Sequence, residues 1–331
     1  MRTRRIVAGA GSITAMGMSA ALVFTGVPSV EVAGPVGPSR SPAATAASAH
    51  ANPLIQRAVF GWLPGDYGEV TAVMDRQPRW TFELTAVSGD LTQPIRLTDY
   101  GSGAEPPLGF LHGGERAKRI PAAPVNGHPA YWIAKPGTQD GGRLRWRYGP
   151  KSWAELEVTR GANDTTETIH LIAKAVKFGG TGPMRFPIRV SKIPGGLYPY
   201  RAVRRTAPTS AALGFRSKEP GELAISVEDD NMSSRGGLLP NTSIDGHAAY
   251  DSRLGPAQGS PKPGGPNYGK PTGGSNGQQL WVFGVQGFDV RLDASGDALR
   301  QLASTGGLTG LFRRITVLGD DMNNWTTTPL G

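Results

Sequence analysis

Three runs in this chain carry residue types at the spacing that chemistry would need. Gly273-Gly274-Ser275-Asn276-Gly277 has the form of a nucleophile elbow, and His112-Gly113-Gly114 has the form of an esterase oxyanion loop. An elbow works only at a strained strand-to-helix turn, with a histidine later in the chain to take the serine proton. Ser275 lies instead in a Gly/Pro-rich stretch, and the last histidine, His247, precedes it. The run from Gly264 to Gly269-Lys270 has phosphate-loop spacing, but Pro271 stands where a magnesium-ligating Ser or Thr is required, and it blocks the helix. The expectation is no catalytic residue and no cofactor.

The histidines are His50, His112, His128, His170 and His247, none with a companion at metal-ligand spacing. No metal site is expected. His128 and His247 each follow a turn pair, Asn126-Gly127 and Asp245-Gly246, and are candidate ligand contacts, although a hairpin-packing role is the simpler account. Arg145 and Arg147 alternate with Trp146 and Tyr148. Strand geometry puts the two sets on opposite faces, so bases could not stack where phosphates are held, and no nucleic-acid partner is expected. A solvated basic face with Arg145 and Arg147 open to an anionic ligand is the reading.

The elements that must position these residues are mostly strands. Trp80, Phe82, Leu84 and Ala86 share one face, as do Leu144, Trp146 and Tyr148, then Ala154, Leu156 and Val158, and Leu223, Ile225 and Val227. Asp164-Thr165-Thr166-Glu167 resembles a capping box ahead of Ile169, Ile172 and Val176, and Ser295 precedes Leu299 and Leu302. These spacings predict two short helices, each after strands. The chain also repeats itself: 125–131 matches 244–250, with His128 and His247 119 positions apart. Upstream, Leu63-Pro64-Gly65 matches Ile193-Pro194-Gly195, and strands then a helix follow both copies. The predicted fold class is α+β: two tandem similar modules of antiparallel sheet with a covering helix, over 54–190 and 191–331. A Gly/Pro-rich insertion at 253–277 interrupts the second.

Ahead of the modules, Arg2, Arg4 and Arg5 precede an uncharged apolar run at 6–27. That pattern predicts export through a signal peptide or membrane anchor over 1–29, by the Sec or twin-arginine route. Residues 30–53, rich in Ala, Pro and Ser, are expected to form a disordered linker. The bulk is therefore expected outside the cytoplasm, secreted or held by 6–27. Beyond the N-terminal tip, 32 Lys/Arg stand against 26 Asp/Glu, a mild basic bias. There are no cysteines, so disulfides and thiolate chemistry are excluded.

The block NGHPAYW (126–132), LRWRYGPKSWAELEV (144–158) and IHLIAKAV (169–176) resembles the extracytoplasmic domains of uncharacterised secreted or anchored proteins of high-GC bacteria. It is similar, more remotely, to the outer regions of anti-sigma-type regulators and to LolA-like lipid-binding sensors. The resemblance covers about residues 120–195. It implies a curved antiparallel sheet covered by helices, and a role in sensing or carrying a ligand. With five residues before the apolar run, a sigma-binding cytoplasmic domain is not expected.

The expected function is an exported, non-enzymatic ligand-binding or sensing protein of the cell envelope, with a hydrophobic or anionic envelope ligand as its partner. It would touch the membrane only through an uncleaved N-terminal segment. A secreted hydrolase acting on envelope or extracellular substrates is the alternative, and a wall-polymer-binding surface protein is a third.

Overall fold

Apolar and polar side chains alternate along most of the chain, and in a computed structural model those segments are strands. The structure describes residues 52–331 except 66, 77–79, 89–92, 162, 180–181, 207–208, 231–237 and 256–276. The expected signal or anchor, the linker up to residue 51, the phosphate-loop-like run and all but Gly277 of the elbow-like run lie outside the described residues, as does most of the expected insertion.

The first half holds β1 (Ala58–Val59), β2 (Gly68–Arg76), β3 (Trp80–Val87), β4 (Ile95–Ser102), β5 (Ile120–Pro121), β6 (Ala130–Ala134), β7 (Gly142–Gly149) and β8 (Ser152–Val158). Helix α1 (Thr166–Ala175) and β9 (Lys177–Phe178) follow. The second half holds β10 (Ile188–Val190), β11 (Tyr198–Thr206), β12 (Thr209–Arg216), β13 (Glu222–Asp229), β14 (Thr242–Ile244), β15 (His247–Asp251), β16 (Gln278–Val285) and β17 (Phe288–Ala294). Helices α2 (Gly296–Ala303) and α3 (Gly307–Phe312) lead to β18 (Ile315–Val317).

Fourteen strands form one antiparallel sheet in the order β14-β15-β16-β17-β13-β12-β11-β2-β3-β4-β8-β7-β6-β5. Read inward from either edge, the order is the same. The join is the pair β2–β11, where Val73 faces Val203, flanked by Asp75 opposite Arg201 and Thr71 opposite Arg205. Outside the large sheet, β1 pairs with β9 and β10 with β18, again at matching places.

The fold class expected from sequence is corrected here. The chain is mainly β, with one continuous sheet rather than two sheets each under a covering helix. The physical reason is that β2 and β11 each offer a full ladder of unpaired backbone groups. Pairing them satisfies both edges at once. Buried apolar side chains from both halves, Phe82, Leu84, Leu156 and Ile169 with Leu213, Ile225, Leu292 and Leu302, belong to one contiguous cluster on one face.

Elements that depend on neighbouring residues alone stand where the sequence places them, to within one residue. Asn126 and Gly127 have φ of 50° and 79°, and Asp245 and Gly246 have φ of 50° and 86°, as a tight hairpin turn requires. The N-cap of α1 is Thr165, whose hydroxyl accepts from Thr168 N, so the expected capping box is displaced by one residue. Asp164 turns away and accepts from Gly137 N at 2.7 Å. In α2 the buried side chains are Ala298 and Leu302, with Leu299 half-buried. Among the described residues, no helix is long and apolar enough to cross a membrane.

Candidate functional site

In the first half, the core face of the sheet does not close completely. Between β7, the C-terminal turn of α1, β9 and the hairpin turn at 125–128 lies a cavity of about 610 Å³. That is the size range of small-molecule sites. Its apolar lining comes from Ile55, Val125, Trp146, Ala173, Val176 and Phe178. Strand alternation brings Trp146 and Tyr148 of β7 to this face. Phe178 stacks on Tyr148, with ring centres 3.7 Å apart and planes 3° from parallel, and meets Trp146 edge-on. Such contacts hold aromatic rings in fixed positions.

The polar part of the lining is a buried ion pair. Arg57, just before β1, places Nη2 3.1 Å from Asp99 Oδ2, with side chains only 6% and 1% exposed. Asp99 Oδ1 accepts from Tyr148 Oη at 2.7 Å and from Gly101 N at 2.8 Å. Burial, and then the neighbouring Asp99 charge, push the Tyr148 phenol well above its ordinary range. Two buried atoms of this cluster have no protein hydrogen-bond partner: Arg57 Nη1, a donor, and Asp99 Oδ2, which touches Arg57 as a charge without a formed hydrogen bond. Gln56, Asn126, His128 and Ser152 complete the polar lining.

The second half has no such constellation at the matching places. Asp99 lies opposite Ala154, and Ala154 opposite Trp146; in the same sheet positions Val227 lies opposite Val290, and Val290 opposite Val282. Phe178 pairs with Ala58, whereas Val317 pairs with Ile188. Arg57 precedes Ala58 as Pro187 precedes Ile188. An ion pair and two aromatic rings thus stand where the other half has proline and valines, and Val227, Val282 and Val317 are all buried.

No family model matches this chain, and no curated protein does. Among solved structures, it is similar to MucB in complex with MucA(peri), at 13% identity over 76% of this chain and 93% of that one, with a TM-score of 0.20. Neither fold nor function is carried across at that score.

Of the four ligand-contact candidates from sequence, His128 alone lines the cavity. His247 sits half-buried at the start of β15, opposite Ile244 and beside Asp245. Arg147 is exposed, paired across to Trp153. Arg145 departs from the expected solvated basic face: it is 1% exposed. Its guanidinium bonds Glu155 through Nε at 2.9 Å and Nη2 at 2.5 Å, and donates to the carbonyls of Pro106 and Pro107. The segment after β4 crosses over this face and covers it. Burial opposes the Arg145 charge, but the Glu155 carboxylate outweighs it and raises the pKa further. Its fork is fully engaged within the protein, so it is not an open anion contact.

Further along the same face, charges are paired across strands. Arg96 lies between Glu83 at 3.1 Å and Glu157 at 3.4 Å, and Arg143 bonds Glu155 at 2.9 Å. This ladder engages Arg96, Arg143 and Arg145 within the protein. The residues that sequence reasoning missed are Arg57, Asp99 and Phe178. A signal was present: Ile95, Leu97 and Asp99 alternate on one face of β4, which puts a carboxylate at a core position. Buried carboxylates require partners, and the partner lies 42 residues earlier in the chain.

Proposed function

We propose that this chain is an exported binding or sensing protein of the cell envelope that takes a small, largely apolar molecule into the cavity between β7 and α1. The observation that carries the reading is the cavity itself, which joins fixed aromatic walls to one buried polar cluster in only one half of the sheet. Binding sites for small molecules combine apolar walls with a few placed polar groups in this way. Export rests on Arg2, Arg4 and Arg5 before the apolar run at 6–27.

One feature bears on each alternative. The carboxylate in the cavity, Asp99, is engaged by Arg57, Tyr148 and Gly101 N, and is not placed to orient a base. On the opposite face Arg96, Arg143 and Arg145 are held in ion pairs, which disfavours the wall-polymer alternative. We further propose that the division near residue 190 separates two copies of one strand order within a single sheet, the first kept for binding and the second for support.

The test is thermal unfolding of the purified chain with and without detergent-solubilised envelope lipid, beside an Ala173→Trp variant that fills the cavity. A ligand that binds only the folded state at 100 times its Kd adds about 2.7 kcal/mol of stability. The native chain should gain melting temperature and the filled variant should not. Equal gains in both would place binding elsewhere.

A further inference from the structure

We infer that the outer side of α1 and β9 docks on the surface of an anionic lipid bilayer, with Trp62 and Leu171 entering the interface and Lys174 and Lys177 meeting lipid phosphates. The inference goes beyond the cavity reading and stands on residues that the cavity does not use. Ala173, Val176 and Phe178 wall the cavity from one side of α1 and β9. The other side is open to solvent, and it carries large apolar side chains: Trp62 is 43% exposed and Leu171 48%. Gly61 N donates to Ala175 O at 3.1 Å, which brings the neighbouring Trp62 to the end of α1. Leu171 lies one helical turn before Ala175. Lys174 and Lys177 are exposed here too, and a carbon added at Gly61 would lie 3.4 Å from Lys177 Cε.

The second half shows what these places hold when nothing docks on them. Ala58 pairs with Phe178 as Ile188 pairs with Val317, so Val59 opposite Lys177 matches Arg189 opposite Thr316. Counted back from those strands, Ile169, Ile172 and Ala173 fall on Leu308, Leu311 and Phe312, all of them buried. By the same count Leu171 falls on Gly310 and Lys174 on Arg313, and the Leu63/Ile193 match puts Trp62 on Lys192. Tryptophan, leucine and valine thus stand in the half with the cavity where the other half has lysine, glycine and arginine. The cations differ as well. Arg313 is held by Asp245 at 3.0 Å, whereas among the described residues neither Lys174 nor Lys177 is in an ion pair. Glu167, one turn before Leu171, is an acid on the same stripe of α1, so the apolar pair must add to what the lysines contribute. Lysine is depleted from the centres of protein–protein interfaces. Beside tryptophan it suits a bilayer surface, where the indole sits at head-group level and the ammonium reaches the phosphates.

The chain has no cysteine, so one introduced cysteine carries a solvent-sensitive fluorophore at a single place. The full chain is labelled at Leu171→Cys or, at the place matching Trp62, at Lys192→Cys. Each is mixed with vesicles of phosphatidylglycerol and phosphatidylcholine, or of phosphatidylcholine alone. A local label reads this face whatever the apolar run at 6–27 does. The label at 171 should shift to the blue and be quenched by brominated acyl chains, while the label at 192 stays solvated. Half-effect on anionic vesicles should need at least about fivefold less lipid than on phosphatidylcholine, a preference that Lys174→Gln/Lys177→Gln removes. Trp62→Ser should cut the shift at 171 by at least about half with the melting temperature unchanged. A label at 171 that stays solvated on every vesicle, an equal response at 192, or a shift that Trp62→Ser leaves intact overturns the docking. So does a shift without vesicles that grows with protein concentration, the mark of a second copy on this face. None of these results touches the cavity reading, which is decided by ligand stabilisation and Ala173→Trp, and failure there leaves the docking to stand or fall on the labels.

Discussion

Replacing Asp99 by asparagine keeps the shape of the side chain and removes its charge, leaving Arg57 charged and buried. Arg57 and Asp99 are 6% and 1% exposed, so solvent screens little of the effect. Breaking a buried pair by removing one partner typically costs about 3–5 kcal/mol, whereas replacing both by apolar groups is often close to neutral. Asp99→Asn should therefore destabilise the chain by about 3–5 kcal/mol. The double variant Arg57→Met/Asp99→Val should cost less than Asp99→Asn, about 1–3 kcal/mol, chiefly the hydrogen bonds that Tyr148 and Gly101 N lose. Valine already stands at the matching place in the other half, as Val227. The assay is urea unfolding with linear extrapolation on the native chain, on Asp99→Asn, and on the single variants Arg57→Met and Asp99→Val beside the double; the native chain and the last three close a double-mutant cycle. The reasoning is refuted if Asp99→Asn costs less than about 1 kcal/mol, or if the double variant costs as much as the two singles added together.

Other outcomes follow from the same geometry. Glu155→Gln, which strands the buried Arg145, should lose about 3–5 kcal/mol by urea unfolding, while Arg147→Gln on the exposed side of β7 should change stability by less than about 0.5 kcal/mol. Gly142→Ala should destabilise by about 1–3 kcal/mol, since the added carbon would lie 2.1 Å from Ile169 Cδ1 and 2.7 Å from Asp164 Oδ1; an unchanged midpoint would count against the packing of α1 on β7. The alkaline limit of stability is set partly by tyrosines. Tyr100 and Tyr131 are each pushed up to about 12, chiefly by burial, and Tyr148 is raised by burial and Asp99. Raised folded values mean that their stabilising contribution is intact below the unfolded value near 10 and is lost as pH climbs from there toward the folded values. Phenolate absorbance should then rise in a late, cooperative step that coincides with unfolding. A smooth titration of all tyrosines near pH 10 would contradict this.

Tyr148→Phe isolates one link of the cavity cluster. It should cost about 1.5–3 kcal/mol by urea unfolding, the range for a hydrogen bond to a charged group; a loss below about 0.5 kcal/mol would count against that bond.

What the sequence determined by itself was local. Asn126-Gly127 and Asp245-Gly246 specify tight turns because both central residues take positive φ. Thr165 starts a helix because its hydroxyl meets an otherwise unpaired backbone N–H, and alternation tells which side of β3, β7, β8 and β13 faces the core. Those choices depend on residues a few positions apart. Which strand pairs with which does not: the same alternating pattern suits an edge or a centre, and only assembly joined β2 to β11 and so turned two expected sheets into one. The second face of a strand is likewise undecided until something crosses it. Arg145 read as solvated because nothing in β7 announces the segment that folds over it. The cavity belongs wholly to this second class, since Arg57, Asp99, Tyr148 and Phe178 come from four separate segments of the chain and meet only when α1 and β9 pack against the sheet.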